Sequence, residues 1–272
     1  VKKVFSHLDC NLIELEDWNC CGATSYMSVK ETVSFVISAR NLALAEKHKR
    51  DIVAPCSACY TILSKTNRYL KALPEFHNKV NECLAEGGLQ YNLTCNVRHP
   101  LDVLMNDIGI ETIKAKAKRS LKGLRIANYY GCQIVRPEKG FDDREEPMLM
   151  DNMFAALGAE NVYYPFKVKC CGGMLMTTYE DVALKLNREI IGSAVENKAD
   201  CIVTTCPLCQ MNVEAYQDKI NHVYKTNYNI PVLFFTQLLG LAFGFDDHEL
   251  EIDRLLTDSI KLNGTSKQLT GV

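Results

Sequence analysis

At 272 residues and 47% hydrophobic, the chain is long enough to bury a core as one large domain or two ordinary ones. Thirty-one Lys and Arg against 33 Asp and Glu leave a formal net charge of -2 with no long basic run, which argues against nucleic acid as a partner. Thirteen cysteines are too many for ordinary usage, and in a cytoplasmic setting clustered thiols bind metal or do redox chemistry more often than they form disulfides.

In chain order, the first ten residues, VKKVFSHLDC, lack the apolar core of a signal peptide, so a cytoplasmic location is expected. NLIELED (11–17) reads as a strand that leads to NCCGA, which holds Cys20 and Cys21. DIVAPCSAC is a short β-branched run that delivers Cys56 and Cys59 at its end, and VRHPLDVLMNDIG (97–109) follows. KAKAKRSLKGLR (114–125) reads as a basic helical run ending at Gly123, and it marks a seam between a first module, 1–118, and a second, 119–272. LRIANYYGC (124–132) is a buried strand ending at Cys132, and EPMLMDNMFAALGA (146–159) has helical apolar spacing with a glycine stop. NVYYPF is a second strand, followed by the loop of Cys170 and Cys171 in KVKCCGGMLM. YEDVALKLNREIIGSAVENKA (179–199) is a long amphipathic helix, and DCIVTTCPLC is a third strand delivering Cys206 and Cys209. IPVLFFTQLLGLAFGF (230–245) is too short for a membrane helix and has Thr236 and Gln237 at its centre, so it reads as a strand running into a helix and the chain as not itself transmembrane.

The chain repeats itself at an offset of 150: Cys20 and Cys21 match Cys170 and Cys171, and Cys56 and Cys59 match Cys206 and Cys209. Each copy has 34 residues between its vicinal pair and its C-x-x-C, and VRHPLDVLMNDIG parallels VLFFTQLLGLAFG (232–244). Strands alternating with helices imply an α/β fold with parallel pairing. In such sheets sites form at the carboxyl ends of strands, so Cys132, Cys170, Cys171, Cys206 and Cys209 should converge at one edge. Structural zinc and a cubane iron–sulfur cluster each take four ligands, so five thiols suit a larger cluster whose separate irons meet the two neighbouring cysteines. Gly172 and Gly173 would let the backbone approach such a group. A zinc site, a vicinal redox disulfide and purely structural thiols are the alternatives. Cys10, Cys83, Cys95 and Cys201 have no counterpart at the repeat offset and read as ordinary thiols.

The pattern C-x37-CCG-x33-C-x-x-C at Cys132, Cys170, Cys171, Cys206 and Cys209 resembles the CCG module of the heterodisulfide reductase B-subunit, and the resemblance covers nearly the whole chain. It implies two tandem, pseudo-twofold-related CCG modules with small parallel sheets and flanking helices. Each module would carry a non-cubane 4Fe-4S cluster on five cysteines. The implied activity is reduction of a disulfide, the mixed disulfide of coenzyme M and coenzyme B or a related one, at two clusters that flank it, as in methanogenesis. No side-chain acid or base is assigned. The implied partners are a ferredoxin-like C-subunit, together with a flavin-containing A-subunit. The alternative is an electron-relay iron–sulfur subunit of a flavin-dependent hydroxy-acid or succinate-type dehydrogenase complex with no substrate of its own; such relatives commonly fuse C-x2-C-x2-C-x3-C-P runs, which this sequence lacks. One departure stands out: the offset of 150 puts the first-module equivalent of Cys132 about 18 residues before Val1, so the first cluster keeps Cys20, Cys21, Cys56 and Cys59, and an additional N-terminal segment with the fifth cysteine is expected. Lys167, Lys169 and Arg136 could meet an anionic substrate or simply be solvated, and a lone His99 is more often structural than functional.

Overall fold

The computed structural model describes residues 1–23, 27, 29–137 and 140–257. Two compact units form: Leu12–Pro100 with a short piece beginning at Arg136, and a second assembled from Val1–Asn11, Leu101–Val135 and the chain from Gly140 onward.

Helix α1, Lys2–His7, opens the chain. The continuous unit then contains α2 (Glu31–Lys47), β1 (Ile52–Val53), α3 (Ser57–Ala72), α4 (Pro74–Ala85) and β2 (Val97–Arg98). Helix α2 buries Phe35, Ser38, Ala39 and Leu42, and α3 buries Tyr60, Leu63, Asn67 and Leu70, each set recurring every three or four residues along one helical face. Phe35 stacks on Tyr69 at 5.3 Å and meets Phe76 edge-on at 5.2 Å, which ties α2, α3 and α4 into one core. Strands β1 and β2 pair in parallel, Ile52 with Val97 and Val53 with Arg98.

The second unit contains α5 (Ile110–Lys116), β3 (Arg125–Tyr129), α6 (Leu149–Ala156), β4 (Glu160–Asn161), α7 (Glu180–Glu196), β5 (Cys201–Thr204), α8 (Pro207–Glu214), α9 (Gln217–Tyr224), β6 (Val232–Phe234) and α10 (Phe235–Ala242). Its sheet is all parallel in the order β4-β3-β5-β6. Every residue of β5 and β6 is buried, the mark of strands covered on both faces. From β3 the chain leaves towards β4 on one side, while from β5 it leaves towards β6 on the other, so a crevice opens at the carboxyl ends of β3 and β5. Helix α1 belongs to this unit: the His7 ring packs 4.7 Å from Phe243, and Lys116 pairs with Asp9 at 2.7 Å.

The fold is α/β with small parallel sheets, as the alternation of strands and helices predicts. Three local expectations are corrected. NLIELED forms no strand: Ile13 is 63% exposed, and no neighbouring strand accepts the segment. NVYYPF contributes only Asn161 to β4 and then leaves the sheet. The basic run stops being helical at Lys116, because Ala117 is already extended; Gly123 sits in the turn before β3. No helix among the described residues is long and apolar enough to cross a membrane.

Candidate metal centre

The thiols of the second unit gather at the crevice between β3 and β5. Residue Cys206 is the N-cap of α8, with extended φ and ψ of -131° and 122°, and Cys209 lies in the first turn that follows. In the other unit Cys56 caps α3 with nearly the same angles, -147° and 124°, and Cys59 follows in the same way. A strand thus hands each C-x-x-C to a helix N-terminus, where the backbone dipoles favour thiolate.

The vicinal pairs reach these helices through turns held by glycine. Gly22 and Gly172 have φ of 79° and 88°, a conformation that side chains with a Cβ resist. The turn carbonyl is fixed in both places: Ser38 Oγ donates to Cys21 O at 2.5 Å, and Asn187 Nδ2 donates to Cys171 O at 2.8 Å. As a result Cys21 Sγ lies 2.7 Å from Cys59 Sγ, and Cys171 Sγ lies 3.5 Å from Cys209 Sγ. Electrostatics follow the same pattern in both units. The contact with Cys59 brings the Cys21 thiol down to about 7, and the contact with Cys209 lowers Cys171. Cys59 and Cys209 are pushed up in turn, first by those contacts and then by Cys56 and Cys206.

Cys132 follows β3 by way of Gly131, whose backbone, at φ 71°, approaches so closely that an added Cβ would stand 3.0 Å from Cys209 Sγ. The Tyr129 phenol is driven well up by burial and by the nearby Cys209, Cys171, Tyr164 and Cys132, while its hydroxyl donates to Lys169 O at 2.7 Å. Cys170 is exposed at the rim and accepts a hydrogen bond from Gly172 N at 3.3 Å. All five second-module cysteines therefore border the crevice, and Cys20, Cys21, Cys56 and Cys59 form the matching set in the other unit. Cys201 is fully buried in β5, Cys95 is buried with its thiol pushed up to about 12 by desolvation, and Cys10 and Cys83 lie outside both sets.

The cations read from the sequence have other occupations. Lys167 is in a buried ion pair with Asp151 at 2.9 Å, and Lys169 pairs with Glu189, so neither is merely solvated. Arg136 is exposed. His99 is fully buried and packs against Tyr60 at 5.9 Å, a structural role. Sequence reasoning missed Asn187 and Asn212, although polar residues at core-facing positions of α7 and α8 are a signal that could have revealed them.

A donor set made of thiols alone is soft and suits zinc, copper(I) or iron–sulfur groups. Among the described residues no three His, Cys, Asp or Glu side chains are grouped to hold one metal ion. The thiols come instead from several segments around the crevice.

Fold and site together define a cysteine-rich α/β protein with two like thiol centres. The chain belongs to the cysteine-rich CCG domain family, which matches residues 1–64 and 126–214. It is 36% identical to the 8-methylmenaquinol:fumarate reductase membrane anchor subunit of Wolinella succinogenes over 94% of this chain and 89% of that protein. It is 32% identical to the ferredoxin:CoB-CoM heterodisulfide reductase B-subunit of Methanosarcina mazei over 96% and 88% of the two chains. Identity to a heterodisulfide reductase B-subunit-like protein of Archaeoglobus profundus is 34%, over 92% and 86%. A solved structure of a hypothetical protein from Helicobacter pylori shares the fold at TM-score 0.75 and 18% identity, covering 94% of this chain and 48% of that one.

Proposed function

We propose that the chain is an iron–sulfur subunit of a heterodisulfide-reductase-type complex and that it reduces a disulfide to two thiols. The observation that carries this reading is the repeated thiol set, presented twice by a strand and a helix N-terminus, in a chain whose relatives include proteins named as heterodisulfide reductase B-subunits. In this reading Cys132, Cys170, Cys171, Cys206 and Cys209 hold one non-cubane 4Fe-4S cluster, and Cys20, Cys21, Cys56 and Cys59 hold the protein side of another. When bound, the clusters would supply the two electrons that, with two protons, convert RS–SR′ into RSH and R′SH. The chain's own part is to place the C-x-x-C thiols at helix N-termini and to hold the turn carbonyls of Cys21 and Cys171 in place. The sequence modules 1–118 and 119–272, a cytoplasmic location, and ferredoxin-like and flavin-containing partners of the C-subunit and A-subunit types belong to the same proposal.

A second reading, an electron relay without its own substrate, is favoured by the relative named as a fumarate reductase subunit. Anaerobic purification followed by iron and sulfide analysis tests the shared part. About four irons per site are expected, and Cys209→Ser should strip the second site while the first keeps its iron. A colourless, iron-free protein overturns both readings. Coenzyme M or coenzyme B added to oxidised protein then separates them: a thiol-dependent change in the EPR spectrum supports reduction of a disulfide, and an unchanged spectrum supports the relay.

A further inference from the structure

Helix α8 carries Asn212 three residues after Cys209, and its side chain is fully buried. Asn212 Nδ2 lies 2.8 Å from Gly173 O, 3.4 Å from Cys171 O and 3.5 Å from Cys171 Sγ. Carbonyl oxygens only accept hydrogen bonds, so the end of the amide that faces them is the NH2 group and the orientation is settled. One proton goes to Gly173 O, and the other is shared between the carbonyl and the sulfur of Cys171.

Asn187 differs in what it reaches. Its Nδ2 donates to Cys171 O and Ala183 O, both at 2.8 Å, which commits both protons to carbonyls. Each asparagine leaves its Oδ1 buried and without a partner among the described residues. A leucine of similar branched shape would avoid that cost, so packing alone does not account for either residue. In the other unit a serine, Ser38, holds the turn carbonyl, and the position three residues after Cys59 is the buried, apolar Ile62. A donor aimed at the sulfur is thus present in the second site, where the matching position of the first offers only hydrocarbon.

We propose that Asn212 is a positioning residue which, through its N–H···S hydrogen bond to Cys171, raises the reduction potential of the second centre above the value its enclosure would set. Reduction adds negative charge that spreads onto the ligand sulfurs, and a fixed N–H dipole pointing at one of them stabilises the reduced form more than the oxidised form. This rests on the iron–sulfur reading above.

The test is an EPR-monitored redox titration of anaerobically purified protein, with iron content measured on each sample. Asn212→Leu should keep its iron and shift the reduced-to-oxidised ratio of the second centre about tenfold at fixed potential, a lowering of about 59 mV for a one-electron couple. The first centre should not move. Asn187→Leu, which removes only bonds to carbonyls, should leave the potential of the second centre where it was. If Asn212→Leu keeps its iron at an unshifted potential, this inference fails and the iron–sulfur reading stands. If the wild-type protein holds no iron, the functional reading itself fails. Should Asn212→Leu lose its iron, wild-type protein labelled with 15N-asparagine decides: pulsed EPR should find a nitrogen coupling on the signal of the second centre, and no coupling overturns the proposal.

Discussion

In the continuous unit, Cys56 and Cys59 follow a two-stranded sheet and stay partly open to solvent, whereas Cys206 and Cys209 follow the inner strand of a four-stranded sheet and are 3% and 6% exposed. The local devices are the same: an N-cap cysteine in extended conformation, a glycine at positive φ, and a side chain on the turn carbonyl. Beyond the asparagine that reaches Cys171 Sγ, the main difference is the scaffold behind them. Local sequence therefore sets the geometry of a thiol site, and the number of strands packed behind it sets how far it is shut off from water. Since exposure is one of the levers on an iron–sulfur potential, two sites of one design need not be equal in their chemistry.

The largest expected effect strikes only the larger sheet. Lys167→Met leaves Asp151 a buried carboxylate without its cation, held only by the Tyr130 hydroxyl at 2.6 Å, and the two side chains of the pair are only 13% and 6% exposed. Breaking such a pair costs about 3–5 kcal/mol. Urea denaturation should show this loss, and hydrogen exchange should assign it to the unit of β3 to β6, with the amides of α2 and α3 unchanged. A loss under about 1 kcal/mol would mean that the pair is solvated in solution.

A smaller effect tests the close approach at the crevice. Gly131→Ala puts an L residue at φ 71° and a methyl 3.0 Å from Cys209 Sγ, while Gly123→Ala has a similar φ of 87° with nothing within 4 Å. Both should lose about 1–2 kcal/mol from backbone strain. Gly131→Ala should lose more and also disturb iron retention at the second site alone. Equal losses would show that the contact with Cys209 is slack.

The smallest effect sharpens the picture of the continuous unit and depends on pH. Burial alone would raise the Glu46 carboxyl, but hydrogen bonds from the Thr94 hydroxyl and amide and from the Asn92 amide and side chain outweigh it and hold the group below its usual value. A depressed acid adds stability above its unfolded pKa and loses it as pH falls through the folded one. Glu46→Gln should therefore cost at most about 1 kcal/mol at pH 7, reduced by solvent screening at this exposed site, and progressively less as pH falls through the folded pKa. A constant difference across that range would assign the effect to shape rather than charge.

Much of this was legible in the sequence because it is local. The register of the repeat, the strands β3 and β5 that deliver their cysteines, and the strand-to-helix reading of 230–245 all rest on spacing within short windows. The alternation in NLIELED has the period of a strand, yet a strand needs a neighbour, and nothing in that segment says whether one exists. The carboxylates that claim Lys167 and Lys169 lie 16 and 20 residues away in sequence, on helices whose facing surfaces no local pattern reveals. The two asparagines were hidden for a related reason. A polar residue on an apolar helical face is visible, but its target is known only once the CCG turn has been folded against it.

The division of the chain bears on the order in which the protein forms. One unit is nearly continuous, from Leu12 to Pro100, while the other needs α1 together with Leu101–Val135 and the chain from Gly140 onward. During synthesis the continuous unit can complete its core while the rest of the chain is still being made. The more open thiol site should thus mature first, ready for inorganic sulfide and iron. The more enclosed one must wait until α1 has found α10 and the long-range strand pairs have formed.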